Sequence, residues 1–113
     1  IPGFVAQSGD PYGTGQGNPG YVFKDEIVRG LSFAEAGLVG MANAGPNTNG
    51  CQFFITYAGI PDEVVSRLDG NYTFFGKVLS GMDVLEKLTP RDPAQDPNPP
   101  PADTIISVTI DVK

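Results

Sequence analysis

The sequence contains no histidine, no tryptophan and a single cysteine, Cys51. Without histidine, neither a Ser-His-Asp triad nor a Cys-His pair can form within the chain. A zinc ribbon and an internal disulfide both need more than one cysteine, so they are excluded as well. These absences remove most routes to nucleophilic catalysis and to structural zinc.

Basic residues are also scarce. Seven Lys and Arg stand against 13 Asp and Glu, which gives a net charge of −6 and a pI of about 4.3. No run of basic residues could follow a phosphate backbone, so nucleic acid is not an expected partner. The apolar stretches are far too short to cross a bilayer, and no membrane span is predicted.

The chain starts at Ile1 rather than at a methionine, inside a stretch whose composition predicts a strand. We therefore expect a preceding N-terminal part, and any targeting signal would lie on it. The compartment stays unknown for this reason. A soluble, cytoplasmic location is favoured.

What the chain does contain indicates one small domain over 1–113. It combines 15 Gly and 11 Pro with 7 Phe and 4 Tyr, and 40% of its residues are hydrophobic. The turn formers alone would suggest disorder, but the aromatic content favours a globular fold rich in loops and strands.

The order of predicted elements indicates an antiparallel barrel or sandwich with few helices. Strands are predicted over 1–7, 37–42, 51–57, 72–79 and 104–112, and the glycines of 37–42 indicate close backbone approach. A short extended piece is expected at 21–23, while 25–33 is compatible with a helical turn or with coil. A helical turn and loop are predicted over 59–71, and a short helix over 81–88. The remaining segments, 8–20, 43–50 and the proline-rich 90–103, are predicted as loops or coil.

Several local patterns resemble functional motifs but have simpler explanations. Residues 15–20 match G-x-G-x-x-G, yet no βαβ unit surrounds them, so a flexible loop is expected rather than a nucleotide site. The triplet at 71–73 is a glycosylation sequon that chance explains, and Asp92 and Asp96 lack the spacing of a calcium loop. Cys51 is expected to be a buried, inert thiol, because no nearby base or cation is evident.

Two pairs of adjacent phenylalanines, 53–54 and 74–75, raise the question of a ligand surface. Successive strand residues face opposite sides, so one ring of each pair should point into the core and the other away from it. One ring could then form the floor of a ligand site. Periodicity alone favours core packing.

The stretch Met41 to Thr56, MANAGPNTNGCQFFIT, strongly resembles the cyclophilin family of peptidyl-prolyl cis-trans isomerases. GF..Q.GD at 3–10, the glycine loop at 13–15, LDG at 68–70, FGKV at 75–78 and GM at 81–82 match further family segments in order and spacing. The resemblance covers nearly the whole chain. It implies a mainly β fold, a closed antiparallel barrel of eight strands with two short capping helices. The present chain is expected to lack the N-terminal strands and the first helix of that barrel.

The resemblance also implies a proline pocket on the outer face of the barrel. Its floor would be Phe4, Val5, Phe54 and Leu68, and Gln7, Gln52, Ala42 and Asn43 would hold the substrate backbone. Gln7 and Gln52 are the two candidates for a catalytic role. Gly13 would line the neighbouring groove, and Ala44 and Tyr72 complete the expected substrate-binding set.

Three positions depart from the family pattern. Val5 stands where Met is usual, Arg67 where many members have Trp, and Tyr72 where His is found. The smaller Val5 should widen the pocket slightly. The changes at Arg67 and Tyr72 make any binding of cyclosporin-type ligands weak, whereas loss of the Trp is compatible with isomerase activity.

Rotation about an X-Pro bond agrees with the missing histidine, because it makes and breaks no covalent bond and needs no cofactor or metal. The obstacle is loss of amide resonance, a barrier of about 18–20 kcal/mol. A useful acceleration needs roughly 7 kcal/mol of differential stabilisation of the transition state. An apolar grip on the ring, hydrogen bonds to one flank and a cation at the prolyl nitrogen could supply it.

The resemblance places that cation, an arginine of an F-H-R motif, upstream of Ile1, and no arginine of this chain matches its position. The 113 residues alone are therefore expected to be weak or inactive as an isomerase, and the upstream segment with its arginine is expected to restore activity. The leading hypothesis is an isomerase that assists the folding of Pro-containing client proteins, acting as a monomer. The alternative is a non-catalytic cyclophilin-like module that binds Pro-containing segments within a larger protein. A lectin-like or purely structural barrel is a third, less favoured reading.

Overall fold

The computed structural model describes all residues, 1–113, and contains four strands and two helices. The strands are β1 (Val5–Ser8), β2 (Leu38–Met41), β3 (Phe53–Thr56) and β4 (Phe74–Lys77). The helices are α1 (Asp62–Leu68), between β3 and β4, and α2 (Met82–Leu85), after β4. Neither helix is long and apolar enough to span a membrane.

The four strands form one antiparallel sheet in the order β1-β3-β2-β4. All three central predictions, 37–42, 51–57 and 72–79, are confirmed as strands, each shortened at its ends. The apolar, β-branched and aromatic residues of these stretches suit a pleated, half-buried surface. The register shifts between Val39 and Gly40, where β2 pairs with β4.

The core lies on one face of this sheet. Phe54 and Val5 are buried there with Phe33, which comes from the loop before β2. The Phe33 ring lies 5.3 Å from that of Phe54 and 5.8 Å from that of Phe74, measured between centroids. A Cβ at Gly40 would lie 2.7 Å from the Phe54 ring and 2.9 Å from the Phe33 ring, so only glycine fits beneath them. The close approach predicted for this strand is therefore confirmed.

Helix α1 is longer than the single turn predicted within 59–71. It starts after Pro61, whose extended backbone ends the preceding loop, and carries Asp62 and Glu63 in its first turn. Acidic side chains at a helix N-terminus are favourable for the helix dipole. Its buried side chains, Val65 and Leu68, lie three residues apart and so share one helix face.

The predicted short helix at 81–88 is present as the single turn α2. It follows Gly81, which has a φ of 94°, a conformation that favours glycine. The Tyr57 hydroxyl donates a 2.7 Å hydrogen bond to the carbonyl oxygen of Leu85. This bond joins the end of α2 to the residue after β3.

Three predictions about strands need correction. The first strand begins at Val5 rather than Ile1, because residues 2–4 form a turn closed by the bond from Phe4 N to Ile1 O. The piece at 21–23 contributes only an isolated bridge between Phe23 and Asn49. Residues 104–112 form no strand, since none of them makes a backbone hydrogen bond and Ile106 is 96% exposed.

The predicted closed barrel is also not formed by these residues. The sheet is open, with β1 and β4 as its two edges. Closure requires every strand to have two neighbours, and the segment expected to be the last strand pairs with neither edge. The mainly β character with few, short helices is as predicted.

Candidate functional site

A cavity of about 190 Å³ opens beside β1 and β3, and we call it the central cavity. It is lined by eight residues: Phe4, Val5, Gln7, Ala42, Asn43, Phe54, Leu68 and Tyr72. Three of them, Val5, Phe54 and Leu68, are only 3–5% exposed and form its floor. The floor of the cavity is thus the outer layer of the hydrophobic core.

Strand pairing explains why these residues meet. In the register of the sheet, Gln7 of β1 lies opposite Phe54 of β3, and Phe54 lies opposite Gly40 of β2. Directly opposed residues point to the same face of a sheet. The Gln7 amide, the Phe54 ring and Gly40, which has no side chain, therefore lie side by side across three strands.

Phe54 has both of the roles that periodicity presented as alternatives. Its ring packs against Phe33 in the core, and it lines the central cavity. The ring of Tyr72 meets it edge-on, with centroids 5.8 Å apart and planes at 83°. Phe75 instead lies on the opposite face of β4 and is 58% exposed. The ring of Phe54 thus contributes to the core and to the cavity floor at once, and the cavity floor is not formed by the second ring of a phenylalanine pair.

A second cavity, of about 300 Å³, adjoins the first, and we call it the flanking cavity. It shares Phe4, Leu68 and Tyr72 with the central cavity. Its other walls are Pro61, Val64 and Arg67, from the start and the outer face of α1. The two cavities adjoin at these three shared residues, and Arg67 is the one charged residue among their lining.

Two glutamine amides form the polar edge of the central cavity. Gln7 Nε2 donates a 2.9 Å hydrogen bond to Gln52 Oε1. Gln52 Nε2 in turn donates to the carbonyl oxygens of Gly15, at 3.1 Å, and Gly17, at 2.9 Å. An amide nitrogen carries two N–H groups, so these two bonds use both donors of Gln52. Gln7 keeps its Oε1 and one N–H without a protein partner.

The loop that supplies these two carbonyls is held by the carboxylate of Asp10. Asp10 Oδ1 accepts from Tyr12 N at 2.8 Å. Asp10 Oδ2 accepts from the backbone N–H groups of Thr14, Gly15 and Gly17 at 2.6–3.2 Å. Desolvation raises the pKa of this carboxyl, but the four backbone donors outweigh it and lower the pKa from 3.8 to about 2. The carboxylate is therefore charged throughout the physiological range.

The turn after β2 forms another side of the central cavity. The Asn43 side chain donates to the carbonyl oxygen of Asn71 at 3.2 Å, which ties this turn to the loop after α1. The backbone N–H of Ala42 donates to the carbonyl oxygen of Gln52 at 3.0 Å. Ala42 and Asn43 are thereby fixed between the two loops that border the cavity.

The structure brings together eight of the eleven candidate residues. Gln52 lies one hydrogen bond away from the central cavity, through Gln7. Gly13 and Ala44 line neither cavity. Ala44 is exposed and its N–H donates to Thr48 Oγ1 within its own turn, while the carbonyl oxygen of Gly13 accepts from Arg91.

Sequence reasoning missed four contributors to this site, Phe33, Asp10, Pro61 and Val64. Phe33 lies in the segment that could not be assigned, so no periodicity pointed to it. Asp10 is part of the GF..Q.GD segment, but the sequence assigns it no role. Only the folded loop shows that its carboxylate accepts hydrogen bonds from four backbone N–H groups. Pro61 and Val64 lie in 59–71, where the predicted helical turn and loop gave no indication of a cavity wall. Among the described residues, no three His, Cys, Asp or Glu side chains come together as a metal site.

Comparison with known proteins identifies the family. The family described as cyclophilin type peptidyl-prolyl cis-trans isomerase/CLD matches residues 1–110. The chain belongs to this family, which confirms the resemblance seen in its motifs.

Individual relatives agree. Peptidyl-prolyl cis-trans isomerase-like 1 of Aspergillus fumigatus is 52% identical over 78% of this chain and 53% of its own length. Peptidyl-prolyl cis-trans isomerase CYP18-2 of Arabidopsis thaliana is 51% identical over 75% of this chain and 51% of its own length. The chain thus spans about half the length of the curated relatives it matches.

A solved structure shows the same fold relationship. A cyclophilin type peptidyl-prolyl cis-trans isomerase of Cryptosporidium parvum, crystallised in the presence of the dipeptide Ala-Pro, is 44% identical. It superposes with a TM-score of 0.68 over 81% of this chain and 60% of that one.

Proposed function

We propose that this protein is a peptidyl-prolyl cis-trans isomerase that acts on X-Pro bonds of protein clients. The observation that carries the proposal is the central cavity, whose apolar floor of Val5, Phe54 and Leu68 lies directly beside the free amide groups of Gln7. A proline ring needs an apolar floor, and its flanking peptide groups need hydrogen-bond partners. The cavity of about 190 Å³ has both in its lining.

The chemistry expected at this cavity is positional. Phe54 and Leu68 would hold the prolyl ring while the Gln7 amide binds the backbone on one side of it. The carbonyl on the other side would then be free to rotate, and donors aimed at the rotated state would lower the barrier. The Ala-Pro dipeptide present with the Cryptosporidium relative supports a Pro-containing ligand for this cavity.

The cation at the prolyl nitrogen is part of the proposal. None of the three arginines, Arg29, Arg67 and Arg91, lines the central cavity. We place the cation upstream of Ile1, as the family resemblance implies. Comparing a longer form that carries the F-H-R segment with the same form carrying Arg→Ala tests this step, and equal turnover would reject it.

A kinetic assay tests the activity itself. A peptide containing Ala-Pro is enriched in its cis form in an anhydrous solvent and diluted into buffer, and its relaxation is followed at several protein concentrations. For the longer form that carries the F-H-R segment, the isomerase proposal predicts a relaxation rate that rises linearly with protein concentration. A rate that stays at the spontaneous value, which is of the order of 0.01 s⁻¹, would contradict it.

The absence of an arginine from the central cavity also favours a second candidate, a module that binds Pro-containing segments without turnover. Binding of the peptide with no change in the relaxation rate is the result that this alternative predicts. The same assay therefore separates the two functions, provided that peptide affinity is measured in parallel.

The closed barrel belongs to the proposal as well. The free edges of β1 and β4 support it, because closure would give each of them a second neighbour. Exposed strand edges are rare because they invite pairing. Hydrogen exchange of the outward-facing amides of β1 and β4 tests closure: slow exchange supports paired edges, and unprotected amides argue against them.

A further inference from the structure

We propose that Asp10 is a positioning residue that sets the orientation of the Gln7 amide through the glycine loop and Gln52. The proposal rests on the proposed function for the part that Gln7 plays toward substrate. Asp10 itself lines neither cavity, so any effect it has on turnover must pass through other residues.

The first step is the hold of Asp10 on the loop. Its Oδ2 accepts from Gly15 N at 2.6 Å, from Thr14 N at 2.8 Å and from Gly17 N at 3.2 Å. Three backbone donors within four residues, 14–17, thus converge on one carboxylate oxygen and hold the loop in this conformation. A Cβ at Gly17 would collide with the Asp10 carboxylate, so the fit also demands glycine there.

The second step is the orientation of Gln52. With the loop fixed, the carbonyl oxygens of Gly15 and Gly17 both point at one atom, Gln52 Nε2, at 3.1 and 2.9 Å. The two carbonyl acceptors identify this end of the Gln52 amide as the nitrogen, because an amide oxygen placed there would face two carbonyl oxygens. Gln52 Oε1 is therefore turned toward Gln7.

The third step is the orientation of Gln7. Gln52 Oε1 can only accept, so it fixes the Gln7 nitrogen at 2.9 Å. The Gln7 oxygen is then directed away from Gln52, and this side chain lines the central cavity. Loss of the Asp10 carboxylate frees the loop carbonyls, and the Gln7 amide can then flip or swing.

The loop has a further support that does not act on Gln52. Arg91 Nη1 donates to the carbonyl oxygen of Gly13 at 3.3 Å, and Arg91 Nε donates to that of Pro100 at 2.8 Å. This contact links the proline-rich segment to the outer side of the loop. It does not involve the backbone N–H groups of Gly15 and Gly17, which donate to Asp10.

The test uses Asp10→Asn, which replaces one carboxylate oxygen by an NH₂ group. This group would face backbone N–H groups, which are donors themselves. We expect kcat/KM to fall about tenfold. Asp25→Asn is the matched control, because Asp25 also anchors a loop, accepting from Asn47 N at 2.8 Å and from Asn49 Nδ2 at 2.9 Å, but lines neither cavity. The control should lose stability while keeping its kcat/KM within about twofold.

The double variant separates positioning from general stability. If Asp10 acts through Gln52, Asp10→Asn should have no further effect on kcat/KM in a Gln52→Ala background, while its effect on the melting temperature persists. A second tenfold loss in that background would overturn the proposal, as would equal losses of kcat/KM in Asp10→Asn and Asp25→Asn.

A spectroscopic measurement keeps the proposal testable if the protein has no turnover. The side-chain amide signals of Gln7 and Gln52 in ¹⁵N-labelled protein should shift and broaden in Asp10→Asn and stay unchanged in Asp25→Asn. Unchanged Gln7 signals would overturn the proposal even if the isomerase assignment holds. Should Asp10→Asn not fold, Asp10→Glu retains the charge and acceptors one methylene further out, and the same signals must shift there.

Discussion

Gln7 Nε2 and Gln52 Oε1 are joined by a 2.9 Å hydrogen bond between residues 45 positions apart in the sequence. The bond crosses from β1 to the residue before β3, at the polar edge of the central cavity. Both N–H groups of Gln52 donate to the carbonyl oxygens of Gly15 and Gly17, whereas Gln7 keeps Oε1 and one N–H without a protein partner. The two glutamines that the sequence pairs as catalytic candidates therefore differ: Gln7 lines the cavity with groups that have no protein partner, and Gln52 binds the Gln7 nitrogen.

Gln7→Ala should lower kcat/KM about tenfold while changing the free energy of unfolding by less than about 0.5 kcal/mol, the range expected for an exposed substitution. The side chain is exposed and its one hydrogen bond is to Gln52. Turnover of an Ala-Pro peptide and urea unfolding of the same preparation check this. Turnover equal to that of the unsubstituted protein would remove Gln7 from the site.

Gly40→Ala should destabilise the protein by about 1–3 kcal/mol, the usual cost of overpacking a core. The new Cβ would lie 2.7 Å from Phe54 Cζ and displace the cavity floor. Gly76→Ala is the matched control on the neighbouring strand, because its Cβ would meet Val39 at an ordinary 3.5 Å. Urea unfolding of both variants decides, and equal losses would show that Gly40 is not a packing requirement.

Acid should selectively weaken the glycine loop. The pKa of Asp10 is about 2 in the folded chain against an ordinary 3.8, so its hydrogen bonds stabilise the fold above pH 3.8. This contribution is lost as the pH falls from 3.8 to about 2, because the unfolded chain then binds the proton first. Melting temperatures of the protein and of Asp10→Asn should differ at pH 5 and converge toward pH 2. A constant difference across that range would contradict the assignment.

Arg67→Trp should tighten binding of a cyclosporin-type ligand by about two- to tenfold, the range for one added aromatic contact. Arg67 lines the flanking cavity where many cyclophilins carry a Trp. Arg67→Ala removes the charge without adding a ring, so it separates the two contributions. Titration calorimetry of both variants gives the comparison, and equal affinities would exclude the ring as the cause.

The strands of the sheet could be predicted because their residues specify them locally. Cys51 to Tyr57 is dense in aromatic and β-branched residues, and it contains β3. The same reasoning was wrong at 104–112, where apolar and polar residues alternate but no strand forms. Alternation shows that a segment can bury one face, and it does not reveal whether a partner strand lies beside it.

The cavity was predictable only through family resemblance. Nothing in the spacing of Phe4, Phe54 and Leu68 places them together, since the contacts depend on sheet register and on the position of α1. The links from Asp10 to Gln52 depend on loop geometry, including φ of 81° at Gly15. A glycine-rich sequence permits such a loop without specifying which carbonyls it will present.

The central claim, that Pro-containing peptides turn over in the central cavity, can be tested in one sample by nuclear magnetic resonance. An Ala-Pro peptide is titrated into the ¹⁵N-labelled longer form that carries the F-H-R segment, while cis–trans exchange of the peptide and the amide shifts of Val5, Gln7 and Phe54 are recorded. We predict exchange faster than the spontaneous rate, with the exchange and the cavity shifts saturating at the same peptide concentration. Cavity shifts without acceleration, or acceleration without cavity shifts, would contradict the account.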